Sequence, residues 1–485
     1  MRDRQTKQFT NMSQSDGQGN ISTRGKGVSR RDFLSVVSAA ATVSIVSRSV
    51  LGGAGRVAPS DRVNIGSIGV GGQGLNDMQA FLGIPNAQVV AVCDIRRECD
   101  YSKFYYGGVA GREPARQLVN DTYASQKNVA KYDGCASYVD FHELLQHSGL
   151  DAVHIATPDH MHAIPAMAAI RQGKHVYCQK PLTYTVRESR ELGEAARQQG
   201  VVTQMGHQLH ATDKLKRLVE MIQSGAIGQV QEIHCWAGST YGGLARPEDT
   251  PPIPDGFEWD QWIGPAPFRP YHPDYAPFRW RHWKDFGTAS LGDFGCHIMD
   301  PAMWAVGFPE AMTIEASSSP HFEDSYSVAN IVRYQFLPPG RSTAITLTWY
   351  DGGLKPFRPA ELESGRDLPN SGGMYIGDQG TIVARHGGDA QLIPAAKMEK
   401  YSLPEPFLPR GETHYEEWVR ACQSGPLPLS NFSDYAGPLT EMVLLGNIAI
   451  ETQRRLEWDS RSFKITNDEE ANRRLHREYR EGWTL

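Results

Sequence analysis

The strongest constraint in this chain is a strand, a glycine-rich turn and a helix in unbroken succession. Val63-Asn64-Ile65-Gly66-Ser67-Ile68 is a β-prone run that enters Gly69-Val70-Gly71-Gly72-Gln73-Gly74, after which Leu75, Met78 and Phe81 recur at helical spacing. In such a turn Gly69 allows the reversal, Gly71 and Gly72 let backbone approach a pyrophosphate, and Gly74 lets the helix sit close on its strand. The helix N-terminus then faces the phosphates. A second run, Val89 to Cys93, delivers Asp94 about twenty residues after Gly74, where an acid binds the adenine-ribose hydroxyls. The expected cofactor is therefore NAD. Arg96 and Arg97 follow closely and leave NADP possible, because either can accommodate a 2′-phosphate.

From there strand and helix keep alternating. Phe141 to His147 reads as helix, Ala152 to Ala156 as a buried strand, and His160 to Gln172 as helix. His175 to Cys178 is a strand, Glu188 to Gln199 a helix, and Val201-Val202-Thr203 the next strand. This is doubly wound parallel-sheet grammar. Residues 97–134 form an extra helical excursion rich in Tyr and Gly. A chain of 485 residues exceeds one compact core. The expected division is a leader over residues 1–54, a Rossmann domain over 60–206, a second α+β domain over 207–460 and a tail over 461–485. Strand-like runs such as Thr343 to Thr348 give that second domain a large open sheet, mostly antiparallel or mixed.

The leader reads as an address. Ser29-Arg30-Arg31-Asp32-Phe33-Leu34 precedes an apolar run to Val46, then Arg48 and Gly52-Gly53-Ala54. Roughly 13 apolar residues fall short of the ~20 that span a bilayer, yet suit a signal peptide. The paired arginines make it similar to a twin-arginine signal, which exports proteins already folded. The expected location is periplasmic or otherwise exported, with the twin-arginine machinery as partner. Residues 1–54 carry eight basic against three acidic residues, a local +5, which leaves −11 of the formal −6 total on the remainder. So acidic a body excludes nucleic acid as a partner. The seven cysteines show no CxxC pair, so neither a zinc knuckle nor a disulfide framework is expected.

Two strand ends carry unusual chemistry: Ala156-Thr157-Pro158-Asp159-His160-Met161-His162 and Cys178-Gln179-Lys180-Pro181. Both lie at the carboxyl edge of the sheet, where doubly wound folds bind ligands. With Gly69 to Gly74 they make the chain resemble the Gfo/Idh/MocA oxidoreductase family, in which a Lys-Pro pair ends the fifth strand. Gly287 to His297 is similar to that family's D-x-x-x-H segment. Gly377-Asp378-Gln379-Gly380, Leu445-Gly446-Asn447 and Trp458-Asp459 resemble its later landmarks. Two departures stand out. The family commonly has Glu-Lys-Pro where this chain has Gln179, and its Asn/Arg-containing segment after the sixth strand is replaced by Gln204-Met205-Gly206-His207-Gln208.

The resemblance implies a role for each matching residue. His297 is the general base, Lys180 polarises the reacting hydroxyl, and Asp293 orients substrate or joins the proton relay. Asp293 and His297 are four apart, on one helical face. Thr157, Pro158, His162, Gln179, Lys180 and Pro181 join the glycines and Asp94 around the cofactor, while His207, Gln208 and Trp283 are candidate substrate contacts. His160 and His162, or Asp293 and His297, have metal-compatible spacing, but no metal is expected. A Pro-rich insertion between Tyr241 and Trp283 brings Phe257, Trp259, Trp262, Phe268, Tyr271, Tyr275, Phe278 and Trp280, either to stack on sugar faces or to pack as a lid. The resemblance further implies a homo-oligomer, dimer or tetramer, and an NAD(P)-dependent oxidoreductase acting on a sugar, sugar acid or cyclitol. Two other functions stay open: a glycoside hydrolase that oxidises, eliminates, adds water and re-reduces on one NAD, and a sugar-binding protein without activity.

Overall fold

The computed structural model describes residues 61–485 apart from 105 and 107. The twin-arginine segment and its apolar run lie outside the described residues. Six parallel strands build the first sheet: β1 (Val63–Ile68), β2 (Ala87–Cys93), β5 (Ala136–Tyr138), β6 (Ala152–Ile155), β7 (His175–Gln179) and β8 (Thr203–Gly206). Their spatial order β5-β2-β1-β6-β7-β8 is that of a doubly wound dinucleotide-binding sheet. Helices cover both faces, so the central strands bury nearly every side chain, from Ile65 through Val153 and Ile155 to Val176 and Cys178. Helix α1 (Gln73–Leu82) opens directly from the glycine turn, with no side-chain cap and no acid in its first turn.

The excursion between β2 and β5 is a two-stranded ribbon, β3 (Cys99–Asp100) with β4 (Val109–Ala110), followed by α2 (Arg112–Lys127). Farther on come α3 (Phe141–Leu145), α4 (Ala163–Arg171) and α5 (Val186–Gln199). Thr185 and Glu188 close a reciprocal capping box on α5, which fixes where that helix starts. The last Rossmann strand sits two residues later than the apolar pair Val201-Val202 indicates, because β8 pairs through Thr203 to Gly206 with Val176 to Gln179.

The second half holds nine strands: β9 (Val230–Trp236), β10 (Ala311–Ser318), β11 (Asn330–Phe336), β12 (Ile345–Tyr350), β13 (Gly372–Gly377), β14 (Thr381–Arg385), β15 (Ala390–Ile393), β16 (Leu456–Asp459) and β17 (Lys464–Ile465). They order as β15-β14-β13-β9-β12-β11-β10-β16-β17, with β9 and β12 parallel and every other pair antiparallel, a mixed sheet. Against it pack α6 (Asp213–Gln223), α7 (Ala289–Ile298), α8 (Asp300–Val306) and α10 (Gly437–Thr452), while α9 (His414–Cys422) joins the Rossmann core through Trp418 and Val419. The last residues run back over the first domain. Arg477 donates to the His160 carbonyl at 2.6 Å and Tyr479 to Glu188 on α5 at 2.8 Å.

Candidate active site

One cavity of about 830 Å³ runs from the glycine turn to the carboxyl ends of β6 and β7 and on to α7. At its first end Gly69 has φ +79°, in the left-handed region, and a Cβ at Gly74 would overlap the Gly69 carbonyl oxygen. The turn therefore cannot carry side chains at either position. Asp94 accepts the Val70 N–H at 2.9 Å and the Arg96 N–H at 2.8 Å, which ties the end of β2 to the turn. Burial pushes its carboxyl upward despite those bonds. Arg96 places its guanidinium 3.6 Å from the centre of the Phe257 ring.

The excursion now has a use that its sequence hid. Tyr101 sits against Gly71 and Tyr106 against Gly72, in the directions side chains there would take, so the ribbon roofs the phosphate end of the cavity. Chain reversal at Gly108, φ +74°, brings them there, a pairing that spacing alone does not reveal.

At the far end Lys180, Asp293 and His297 come together. Lys180 Nζ donates to Asp293 Oδ1 at 2.5 Å and to its carbonyl oxygen at 2.7 Å, Tyr241 donates to Oδ2 at 2.9 Å, and Arg281 Nε lies 3.6 Å from Oδ1. Burial alone would raise the Asp293 carboxyl, but the Lys180 and Arg281 cations outweigh it and hold it well below the usual range. Burial, reinforced by Lys180, pushes His297 far down, so the ring is neutral, and its Nδ1 has no hydrogen-bond partner. Asp159, within the strand-end motif but unassigned from sequence, also lines the cavity; burial pushes it up to about 7 against the 2.5 Å bond from Thr288.

Thr157, Pro158, His162, Gln179 and Gln208 line the cavity, and Thr157 Oγ1 is buried without a partner. His162 sits between the carbonyls of Thr157 at 2.8 Å and Pro181 at 2.7 Å, and its neutral ring donates its single N–H to one of them. Four expectations need correction. Pro181 lies behind the wall, where its carbonyl meets His162, and Gly74 serves helix packing behind the turn rather than contact with a ligand. His207 is fully buried away from the cavity beside His210 and Asp300. Trp283, 2% exposed, donates its indole N–H to the Asp274 carbonyl at 2.7 Å. Both side chains point inward, His207 with Nδ1 3.3 Å from the Met205 carbonyl and Nε2 3.7 Å from Asp300.

The aromatic insertion is mainly its own core. Phe257, Trp259, Trp262, Tyr271, Tyr275, Trp280, Trp283 and Phe286 pack together, Phe268 faces solvent, and Trp262, Phe278 and Trp280 reach the cavity wall. His160 is likewise structural, bonded to the Trp262 carbonyl at 2.8 Å. His207, His210 and Asp300 have metal-ligating atoms within 4.8 Å of one another. The Asp300 carboxylate is already met by His210 at 2.9 Å and Tyr435 at 2.5 Å, the pattern of a buried charge network.

The glycine turn, the uncapped start of α1, Asp94 at the β2 end and the unpartnered Thr157 hydroxyl fit a dinucleotide in this cleft. Fold and site together define a two-domain protein whose first half is an NAD-binding Rossmann domain. Residues 111–207 match the model for the oxidoreductase family's NAD-binding Rossmann fold, and residues 218–341 the model for its C-terminal alpha/beta domain. Both are models of the Gfo/Idh/MocA oxidoreductase family, and together they cover less than half of the chain. It is 28% identical over 169 residues to a levoglucosan dehydrogenase of Pseudarthrobacter phenanthrenivorans, covering 35% of this chain and 36% of that protein. It is 31% identical over 173 residues to a glycosyl hydrolase family 109 protein of Saccharopolyspora erythraea, covering 35% and 34%. The chain thus spans about a third of the length of these curated relatives. In fold it is similar to the WlbA dehydrogenase of Bordetella pertussis, solved with NADH and UDP-GlcNAcA, at TM-score 0.54 and 15% identity over 81% of this chain and 98% of that one.

Proposed function

We propose that this protein oxidises a secondary alcohol on a sugar, sugar acid or cyclitol and keeps its NAD bound through the cycle. The observation that carries the reading is the Lys180, Asp293 and His297 set in the wall of the cavity that the glycine turn closes at its other end. Bound NAD would supply hydride acceptance at its nicotinamide ring. The chain's own residues do the rest. Asp293, held ionised, is a poor proton acceptor near neutrality, so its work is to aim the Lys180 ammonium. That cation stabilises charge developing on the substrate oxygen, and Arg281 adds a second positive charge within the same wall. His297 lines the cavity with its ring neutral and Nδ1 unpartnered. It takes the hydroxyl proton as Lys180 stabilises the developing oxyanion, since burial beside that cation makes it a weak base on its own. The Arg96 guanidinium is committed to the Phe257 face, which supports NAD over NADP.

The test is a redox balance. Denaturing the purified protein is expected to release one NAD per chain. Incubation with aldoses, cyclitols and glycosides in deuterated water is expected to give paired oxidised and reduced products, with no net consumption of added NAD. Lys180→Ala and His297→Ala should each lower turnover by about 10²–10⁴. Sustained NADH accumulation, or wild-type turnover by both variants, would overturn the reading. A second reading, hydrolysis through transient oxidation, is favoured by the family 109 relative. Glycoside cleavage with deuterium on ring carbon selects it.

Export by the twin-arginine route belongs to the same proposal, since a protein folded before transit carries its cofactor along. Replacing Arg30 and Arg31 together with Lys is expected to hold the protein in the cytoplasm. Normal export of that variant removes this part of the proposal.

A further inference from the structure

The departure at Gln179 has a partner one helix away. Asp77 lies on α1, fully buried, and its carboxylate accepts five hydrogen bonds from five parts of the chain. Oδ1 takes the amides of Gln73 at 2.6 Å and Gln208 at 3.2 Å and the hydroxyl of Tyr415 at 2.7 Å. Oδ2 takes Gln179 at 2.6 Å and His154 at 3.1 Å. Burial pushes the carboxyl up, but the bond and charge of His154, with the bonds of Tyr415 and Gln179, hold it below its usual range. Gln179 and Gln208 both line the cavity, while Asp77 does not.

We propose that Asp77 is a positioning residue coupled to Gln179: it supplies from the first helix the carboxylate that Glu-Lys-Pro relatives carry at the strand end, and it aims the Gln179 and Gln208 amides at the cofactor. A carboxylate accepts only, so an amide bonded to it must turn its nitrogen inward. The carbonyl side of Gln179 is thereby fixed beside Lys180, whose N–H it accepts at 3.3 Å. Gly206 makes room for this arrangement, because a Cβ there would lie 2.6 Å from Gln179 Nε2. Glutamate at 179 would place two acceptor-only anions in contact without water, which disfavours the ionisation of both. The carboxylate can occupy position 77 or position 179, but not both. This inference rests on the proposed cofactor site for its positioning half and on packing alone for the pairing half.

The experiment uses the full purified chain as wild type, Asp77→Asn, Gln179→Glu and the double variant. Each is read for NAD dissociation constant after cofactor stripping and for thermal midpoint across pH. Each single variant is expected to bind NAD at least about tenfold more weakly, the loss of one charge-assisted bond in a dry site. Gln179→Glu is also expected to melt lower than wild type, increasingly so as pH rises. The double variant, which swaps acid and amide between the two positions, is expected to recover most of both losses. Wild-type affinity and melting in Gln179→Glu, or a double variant no better than the worse single, would overturn the proposal. The melting arm judges the pairing even in a chain that binds no NAD, an outcome that defeats the proposed function and the positioning role but not the pairing.

Discussion

Asp159 is where burial changes what a residue is. Its carboxyl, pushed up to about 7 in the fold from an ordinary 3.8, is neutral over a range where an exposed aspartate is charged. Thr288 donates to it, Lys180 and Arg281 attract its charged form, and Asp293 repels it; burial outweighs them all. Below pH 3.8 the group is protonated folded or unfolded and the two states do not differ. Between 3.8 and about 7 the unfolded chain ionises while the folded one does not. Stability therefore falls as pH rises through that window, by about 1.4 kcal/mol per unit, and levels off above it. Asparagine is neutral throughout, so Asp159→Asn should remove this slope and gain on wild type as pH rises. Denaturant unfolding at intervals from pH 4 to 8 checks it; parallel curves for the two proteins would refute the assignment.

The ribbon β3–β4 and the aromatic insertion meet across the cavity and act together as a clasp. Arg97 donates its N–H to the Gly256 carbonyl at 2.8 Å, Glu258 returns a bond to Ile95 at 3.0 Å, and Phe104 stacks on Phe278 with ring centres 5.3 Å apart. If a dinucleotide lies beneath Tyr101 and Tyr106, its release is expected to need this contact to part. A stacked aromatic pair contributes about 0.5–1.5 kcal/mol beyond its buried area. Phe104→Ala is thus expected to release NAD about 2- to 12-fold faster, as measured by trapping released nucleotide over time. An unchanged release rate would mean that the clasp does not retain the cofactor.

For the molecule as a whole, the last residues fasten the two domains. Arg477 and Tyr479 reach Glu188 and the His160 carbonyl, Arg480 bonds the Gly264 carbonyl at 3.0 Å, and Trp483 forms part of the cavity wall. Glu188 is 2% exposed, so removing Arg477 and Tyr479 strips both partners from its Oε1 and leaves only the Tyr184 and Thr185 N–H groups on Oε2. Deleting residues 477–485 is expected to lower the thermal midpoint and reduce the NAD that survives purification. A truncated chain with wild-type melting would show this segment to be dispensable.

The sequence by itself determined the Rossmann half, because its information is local. Apolar strand runs and the glycines that no side chain can replace act within a few residues of one another, and the acid at the end of β2 follows within one strand–helix–strand unit. Lys180, Asp293 and His297 stood out through the family resemblance, and it is the fold that brings Lys180 onto Asp293 across 113 positions. Only the tertiary structure decided the rest. His207 is adjacent in sequence to Gln208, yet it packs out of the cavity beside Asp300, ninety-three positions away. Eight aromatic residues in a row of loops read equally as a sugar platform or a core, and mutual packing settled most of them as core. Asp77 looks like any polar residue on a helix until Gln179, Gln208, His154 and Tyr415 converge on it. Local patterns encode which elements form; the partner of a buried polar group depends on contacts between distant segments, and those exist only once the chain has folded.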